Sequence, residues 1–256
     1  MFVKIIEKKM NSLRPNLVKR IERLPKPKNV TGALQPLFEA ISNGIHSTQA
    51  KFDTEVGSRG SVMVIVYTQR DKDEVWASVQ DNGIGLDAKN WEAFTTTDTD
   101  NKMSIGGKGV GRLLWLDCFE KIAVESVFVD QEILMRRKFD FHLRLEGQIQ
   151  NEELSEAPQT SGTMFRVNFE GLRDNAYRNK FPGRGQIIFQ HLTSHFLPIF
   201  IGNRSPRVEV QIGEETRVYP DAINDVIYRR DPALNIETRD YGILNLTLME
   251  LSLIHI

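Results

Sequence analysis

Four glycines fall within six consecutive positions, directly before an apolar segment with helical character. The stretch reads SIGGKGVGRLLWL from residue 104 to residue 116, and its glycines are Gly106, Gly107, Gly109 and Gly111. Glycine backbone can bend its amides around an anion, and the following helix presents its positive N-terminal end to the same place. The stretch therefore predicts a loop that holds phosphate, most simply a triphosphate, and then a helix. A glycine-rich loop alone is weak evidence for that function.

The overall composition excludes several classes of protein. The chain has 256 residues, 40% of them hydrophobic, which suits one large domain or a domain plus part of a second. A net charge of −1 gives no overall attraction to nucleic acid or to an anionic membrane. The single cysteine, Cys118, lies in an apolar run, so we expect a buried thiol in a reducing compartment. Without a signal-like segment or a run of about 18 apolar residues, we expect a cytoplasmic protein with no membrane partner.

The hydrophobic pattern predicts helices and strands on both sides of the glycine cluster. Apolar residues at helical spacing indicate a helix from about Ala33 to Phe52, with Thr31 as its N-cap. Two β-branched runs, SVMVIVYTQ and EVWASVQDNG, predict a hairpin that ends in the loop DNGIGLD. The glycine cluster leads into a helix that is expected to end near Phe119. We therefore expect a mixed α/β layer structure.

The second half of the chain is predicted to consist mainly of strands. The segments KIAVESVFV, ILMRRKFDFHLRLEG and GTMFRVNFEG alternate or nearly alternate, whereas QNEELSEAPQTS, between the last two, is expected to be a loop. The segment GQIIFQHLTSHFLPIF predicts an amphipathic helix, and PRVEVQIG with ETRVYP predicts a hairpin around Gly213.

Four segments are expected along the chain. Residues 1–30 are basic and proline-punctuated and form an N-terminal arm, residues 31–213 form the main domain, and residues 214–250 begin a following domain. The last six residues, LSLIHI, match the translation of a transposon-end adapter used in preparing sequencing libraries. Residues 251–256 are therefore expected to be an adapter-derived tail, with a genuine strand as the alternative.

Three further features carry residue types that suit a nucleotide site. Glu39 and Asn43 stand one helical turn apart, and a carboxylate beside a carboxamide suits polarised water and a hard cation such as magnesium. In DNGIGLD, Asp81 ends a strand and is a candidate acceptor for an adenine amine. Thr163, at the start of a strand, carries a hydroxyl that could share this contact. Taken singly, each feature also has a purely structural explanation, as a solvated helix face, a turn or the start of a strand.

The order of these four features resembles the GHKL superfamily. They are E-x-x-x-N on a helix, D-x-G-x-G after a strand, G-x-x-G-x-G before a helix and G-T on a late strand. The superfamily includes ATPase subunits of type II topoisomerases, large heat-shock chaperones, histidine kinases and mismatch-repair ATPases of the MutL type. The resemblance covers residues 31–169 and extends more weakly to about Gly213. It implies an α+β fold of the Bergerat type, an α/β sandwich whose mixed, mostly antiparallel sheet carries helices on one face.

At the reacting end of the nucleotide, the resemblance implies that Glu39 is the general base that activates water. Asn43 is implied to be the magnesium ligand. The chain departs from the superfamily pattern close to these two residues. Many hydrolysing members carry aspartate and then alanine where this chain has His46 and Ser47. His46 is either a catalytic acid or base or a residue at the edge of the pocket.

At the base and phosphate ends, the resemblance implies that Asp81 reads adenine with help from Thr163. Gly83 and Gly85 are implied to shape the adenine pocket. Lys102, in the polar stretch before the glycine cluster, is a further candidate nucleotide contact. Lys108 is either a point charge beside the phosphates or a solvent-facing lysine. Backbone amides of a mobile lid are implied to wrap the phosphates, at Gly106, Gly107, Lys108, Gly109, Val110 and Gly111.

The function that the resemblance implies is binding and hydrolysis of ATP with Mg²⁺, coupled to lid closure and conformational switching or to an ATP-dependent homodimer. Two alternatives stay open at this point: a phosphotransferase of the histidine-kinase type, and an ATP-binding regulatory module that does not hydrolyse. The sequence identifies no client, and nucleic acid is not indicated.

Overall fold

Helices and strands alternate through the first half of the fold, and strands dominate the second. The computed structural model describes residues 16–96, 111–202, 204–224, 227–230, 234–238, 242–246 and 249–251. The helices in these ranges are α1 (Leu17–Glu22), α2 (Val30–Phe52), α3 (Val56–Arg59), α4 (Ala88–Thr95), α5 (Gly111–Cys118), α6 (Asn175–Lys180) and α7 (Gly185–Phe200). The strands are β1 (Ser61–Thr68), β2 (Val75–Asp81), β3 (Phe119–Asp130), β4 (Ile133–Phe141), β5 (Ile149–Glu156), β6 (Met164–Leu172), β7 (Arg207–Ile212), β8 (Glu215–Tyr219), β9 (Ile227–Arg230), β10 (Leu234–Thr238), β11 (Gly242–Leu246) and β12 (Met249–Leu251).

Eight strands form one mixed sheet in the order β5-β4-β3-β6-β2-β1-β7-β8. β1 and β7 pair in parallel, and the other neighbours in this sheet pair antiparallel. Buried side chains alternate along the central strands, for example Val62, Val64 and Val66 of β1. They pack into one core with the buried faces of α2, α5 and α7. The expected α+β class with a mixed sheet is confirmed, whereas the Bergerat arrangement is a finer statement that stays a prediction.

The long helix α2 begins earlier than its hydrophobic pattern predicts. Its N-cap is Asn29, whose side chain accepts a hydrogen bond from the amide of Gly32 at 2.9 Å. The prediction of Thr31 as N-cap is therefore wrong. Asn29 satisfies a free amide one turn into the helix, and the hydroxyl of Thr31 lies 3.1 Å from Nδ1 of His191 on α7. The buried face of the helix includes Leu34, Leu37, Phe38, Ile41 and Ile45.

Strand β5 occupies most of the segment that was predicted to be a loop, so that prediction is wrong. β5 pairs antiparallel with β4, with partners such as Arg137 and Leu154. It forms the edge of the sheet, and its side chains are largely exposed from Asn151 onward. Because no face of this strand is buried, the sequence shows no alternation of apolar and polar residues that would reveal it.

The main fold extends past both predicted domain limits. Ile21 of α1 is fully buried in the common core, so the described part of the arm packs against the domain. At the other limit, β8 pairs with β7, and Tyr219 and Ile223 are also core residues. A boundary at Gly213 would divide the predicted hairpin, which the structure keeps within the sheet. Among the described helices, none is both long and apolar enough to cross a membrane.

Candidate functional site

One face of α2 brings four polar side chains into line. Glu39, Asn43, Ser47 and Lys51 follow one another at intervals of four residues, each turned about 40° from the one before, so they form a row that winds slowly along the helix. At 1.5 Å of rise per residue, Glu39 and Ser47 are about 12 Å apart along the helix axis. We call this set the polar stripe of α2. It places a carboxylate near one end and a hydroxyl and an ammonium toward the other.

Asp81, the last residue of β2, lies beneath the stripe and is only 3% exposed. Its Oδ1 accepts a hydrogen bond from the amide of Gly83 at 2.8 Å, and its carboxyl group also bonds the side chain of Ser47. Burial raises the pKa of Asp81 to about 7, although both hydrogen bonds and the charge of Lys51 act in the opposite direction. Asp81 is therefore an acid that changes its charge near neutral pH.

The loop after Asp81 approaches its neighbours so closely that two positions require glycine. A Cβ at Gly83 would lie 2.1 Å from Oγ of Ser47, and one at Gly85 would lie 2.4 Å from the carbonyl oxygen of Val127. Gly85 also has a φ of +78°, which side chains rarely tolerate. Both glycines predicted to shape a pocket are therefore at positions where backbone and side chains meet.

Three hydroxyl groups hold this loop in place. Thr163 donates to the carbonyl oxygen of Gly83, and Ser47 accepts from the amide of Ile84 at 3.0 Å. The fully buried Ser126 accepts from the amide of Leu86 at 2.8 Å and donates to the carbonyl of Met164 at 3.0 Å. Thr163 is thus adjacent to the Asp81 loop as predicted, but its described partner is backbone, and its role toward adenine stays a prediction.

At the other end of the stripe, Glu39 meets the first residue of α5. A Cβ at Gly111 would lie 2.5 Å from Oε2 of Glu39. The indole nitrogen of Trp115 donates to the carbonyl of Pro36 at 3.0 Å and fixes α5 against α2. Because the N-terminal end of a helix carries partial positive charge, this arrangement sets the Glu39 carboxylate where negative charge is stabilised.

Six of the predicted site residues lie outside the described part of the chain. They are Lys102, Gly106, Gly107, Lys108, Gly109 and Val110. Arg112 of α5 links the described segments that flank these residues. It donates to the carbonyl of Ala93 at 2.9 Å and to the carbonyl of Thr96. The end of α4 and the start of α5 are therefore held next to each other.

An aromatic cluster holds α4 against the sheet. Trp91 and Phe94 of α4 contact Phe139 of β4, with ring centroids 5.4 and 5.3 Å apart. The guanidinium of Arg137 lies 3.9 Å above the centre of the Trp91 ring and its Nε is 3.1 Å from Glu152. Arg137 is only 9% exposed, because it sits beneath α4.

Ser47 is the site residue that the sequence reasoning missed. It was noted only as a departure from the superfamily pattern beside His46, yet it contacts Asp81, Gly83 and Ile84. The signal was present, since the spacing that pairs Glu39 with Asn43 reaches Ser47 in one further turn. His46 takes part in an interaction of its own, and its role, either as an acid or base or at the edge of the pocket, stays a prediction. No protein-family profile matches the chain, and no curated protein is significantly similar to it.

Proposed function

We propose that this chain binds ATP together with magnesium along the polar stripe of α2 and hydrolyses its γ-phosphate. The observation that carries the proposal is the placement of two carboxylates with different surroundings along one face of α2: Glu39 belongs to the helix, and Asp81 lies against it from the end of β2. Asp81 is deeply buried beside Ser47, and Glu39, which contacts the start of α5, is about 12 Å from Ser47 along the axis of α2. Such a spacing separates recognition of a base from chemistry at a phosphate. The four motifs that resemble the GHKL superfamily point to the same assignment.

The Asp81 end suits the base of the nucleotide. A buried carboxylate that receives two hydrogen bonds from the protein retains lone pairs for a further donor, such as the exocyclic amine of adenine. Gly83 and Gly85 keep side chains out of the adjacent space. A carboxylate in this position costs stability, so its presence is best explained by a ligand that uses it.

The Glu39 end suits the reaction. In the proposed step, Glu39 accepts a proton from a water molecule whose oxygen attacks the γ-phosphorus. The bond from that phosphorus to the β–γ bridging oxygen breaks, ADP and inorganic phosphate form, and Glu39 returns the proton to phosphate or solvent. The carboxamide of Asn43, one turn away, is an oxygen donor of the kind that magnesium prefers. Asn43 would hold the magnesium ion, which would supply positive charge to offset that of the triphosphate.

Beyond hydrolysis, we assign to the chain a nucleotide-dependent change of conformation or of self-association. The support for this part is the contact of Glu39 with α5 and the link from Arg112 to α4, because occupancy at Glu39 would act on both helices. A cycle of binding and hydrolysis would then alternate between two arrangements.

Replacement of Glu39 by glutamine tests the proposed reaction. Glu39→Gln keeps the size of the side chain but removes its proton-accepting charge, so phosphate release should fall by about 10²–10⁴-fold while magnesium-ATP still binds. Glu92→Gln, on the exposed face of α4, is the matched control and should behave like the unaltered chain. Binding is measured by calorimetry and hydrolysis by phosphate release.

The same assays separate the alternatives. Equal phosphate release by Glu39→Gln and the unaltered chain would rule Glu39 out as the base. ATP binding without phosphate release by the unaltered chain would favour a regulatory module, and transfer of labelled γ-phosphate to a histidine would favour a kinase. Absence of binding would contradict the proposal as a whole.

A further inference from the structure

The hydroxyl group of Ser47 makes two contacts through which it can control the ionisation of Asp81. Its Oγ accepts a hydrogen bond from the amide of Ile84 at 3.0 Å and bonds the carboxyl group of Asp81. A hydroxyl has a single proton, and the amide of Ile84 already occupies one of its acceptor positions. The Ser47 proton is therefore directed to Asp81. This bond stabilises the ionised form of Asp81, which accepts hydrogen bonds and cannot donate them.

We propose that Ser47 is a positioning residue that sets base selectivity: it holds Asp81 as a hydrogen-bond acceptor, so that the pocket prefers a purine with an amine at position 6 over one with a carbonyl. The inference rests on the proposed function, because it concerns the base end of the same nucleotide site. It goes further by assigning selectivity to a residue in which the chain departs from the superfamily pattern.

The chemistry of the two bases explains why the charge of Asp81 decides between them. The 6-amine of adenine donates to an ionised carboxylate. The 6-carbonyl of hypoxanthine places an oxygen against the carboxylate, but it accepts a hydrogen bond from a protonated carboxyl group. Protonation of Asp81 therefore weakens the binding of ATP and favours the binding of inosine triphosphate.

The surroundings of Asp81 contain few other groups that could produce this effect. Gly44 of α2 lies against the carboxyl group, Val62 of β1 is the cross-strand partner of Asp81, and neither residue carries a charge. Within the described ranges, the charge that acts on Asp81 is that of Lys51, whose ammonium donates to the carbonyl of Asn82 at 2.6 Å. Ser47 and the amide of Gly83 supply the direct hydrogen bonds.

The test is the ratio of affinities for ATP and inosine triphosphate, measured by calorimetry from pH 5.5 to pH 9.5 in the unaltered chain, Ser47→Ala and Ser126→Ala. In the unaltered chain, the preference for ATP should fall about tenfold or more as the pH drops through the pKa of Asp81, which is about 7. In Ser47→Ala, the midpoint of this fall should move up by about one pH unit, because a hydrogen bond to the charged form is lost.

Ser126→Ala is the matched control, since Ser126 also bonds an amide of the same loop and makes its described bonds to Leu86 and Met164. It should weaken both nucleotides alike and leave the midpoint in place. An unchanged midpoint in Ser47→Ala, or an equal shift in Ser126→Ala, would overturn the inference. A second readout needs no nucleotide: carboxyl NMR should show a higher pKa for Asp81 in Ser47→Ala. If neither nucleotide binds the unaltered chain, the proposed function fails, and the role in selectivity fails with it.

Discussion

Burial of Asp81 opposes folding at neutral pH. In the unfolded chain an aspartate ionises near pH 3.8, whereas in the fold its pKa is about 7. The protonated group is therefore favoured in the fold. The stability that protonated Asp81 contributes to the fold is fully present below pH 3.8 and is lost as the pH rises toward 7. Above pH 7 the free energy of unfolding changes little through this group. The loss amounts to a few kcal/mol.

Replacement of Asp81 by asparagine should therefore separate stability from binding. Asp81→Asn keeps an oxygen for the amide of Gly83 but cannot ionise, so the free energy of unfolding at pH 8 should rise by about 1 kcal/mol or more. Binding of ATP should be lost or sharply weakened. Urea titrations at pH 5 and pH 8, with calorimetry, provide the measurement. A variant less stable than its parent at pH 8 would show that the carboxylate has structural partners beyond those described.

Gly85 offers a second test at the level of single residues. Gly85 and Gly213 both have a positive φ, but a Cβ at Gly85 would meet the carbonyl of Val127, whereas one at Gly213 would meet nothing within 4 Å. Gly213→Ala should destabilise the fold by about 1 kcal/mol and Gly85→Ala by about 2–5 kcal/mol. Similar costs in denaturant titrations would contradict the close packing of the Asp81 loop.

The residues that the sequence predicted and those that it missed differ in their kind of contact. Glu39, Asn43 and Asp81 belong to motifs in which residue type and spacing already indicate chemistry. Ser47 and Arg137 act through groups distant in sequence, a loop amide and the Trp91 ring. Helical spacing places Ser47 on the polar stripe of α2, but no local pattern encodes the contacts of Ser47 or Arg137, because they depend on how α2 and α4 lie against the sheet.

Among the elements, those with a buried face were predicted well. α2, α7 and strands β1, β2, β3, β4, β6, β7 and β8 were all anticipated from apolar periodicity. β5 was missed because an edge strand needs only backbone pairing on one side. The start of α2 was misplaced because a cap depends on a single side chain, and both Asn29 and Thr31 are residues that commonly fill that role.

The link between α4 and α5 leads to a prediction about elements. Arg112 donates to two carbonyls at the C-terminal end of α4, where positive charge and donors stabilise a helix. Arg112→Ala should speed hydrogen exchange of the α4 amides by about tenfold or more while β3 keeps its protection. Arg207→Ala, which removes an exposed ion pair with Glu209, is the control. Unaltered exchange in α4 would mean that the aromatic cluster alone holds this helix.

On the scale of the whole molecule, the candidate site depends on the complete sheet. Asp81 is opposite Phe165 of β6, and β6 is in turn paired with β3. Asp81 and Thr163, which are 82 residues apart in sequence, therefore come together only when β2 and β6 have paired, and Glu39 reaches the same site only when α2 packs on that sheet. Local segments of the chain cannot form this site by themselves.

If the proposed nucleotide binds, this dependence would give it a second role, that of a ligand linked to folding by mass action. A ligand that binds only the complete sheet draws the equilibrium toward the native state, and each tenfold excess over its dissociation constant adds about 1.4 kcal/mol. The melting temperature should therefore rise by about 3–6 °C per tenfold increase in magnesium-ATP, with no rise in Asp81→Asn. In a cell, the abundance of the folded chain would then follow the supply of its ligand, and depletion of nucleotide would expose it to proteolysis.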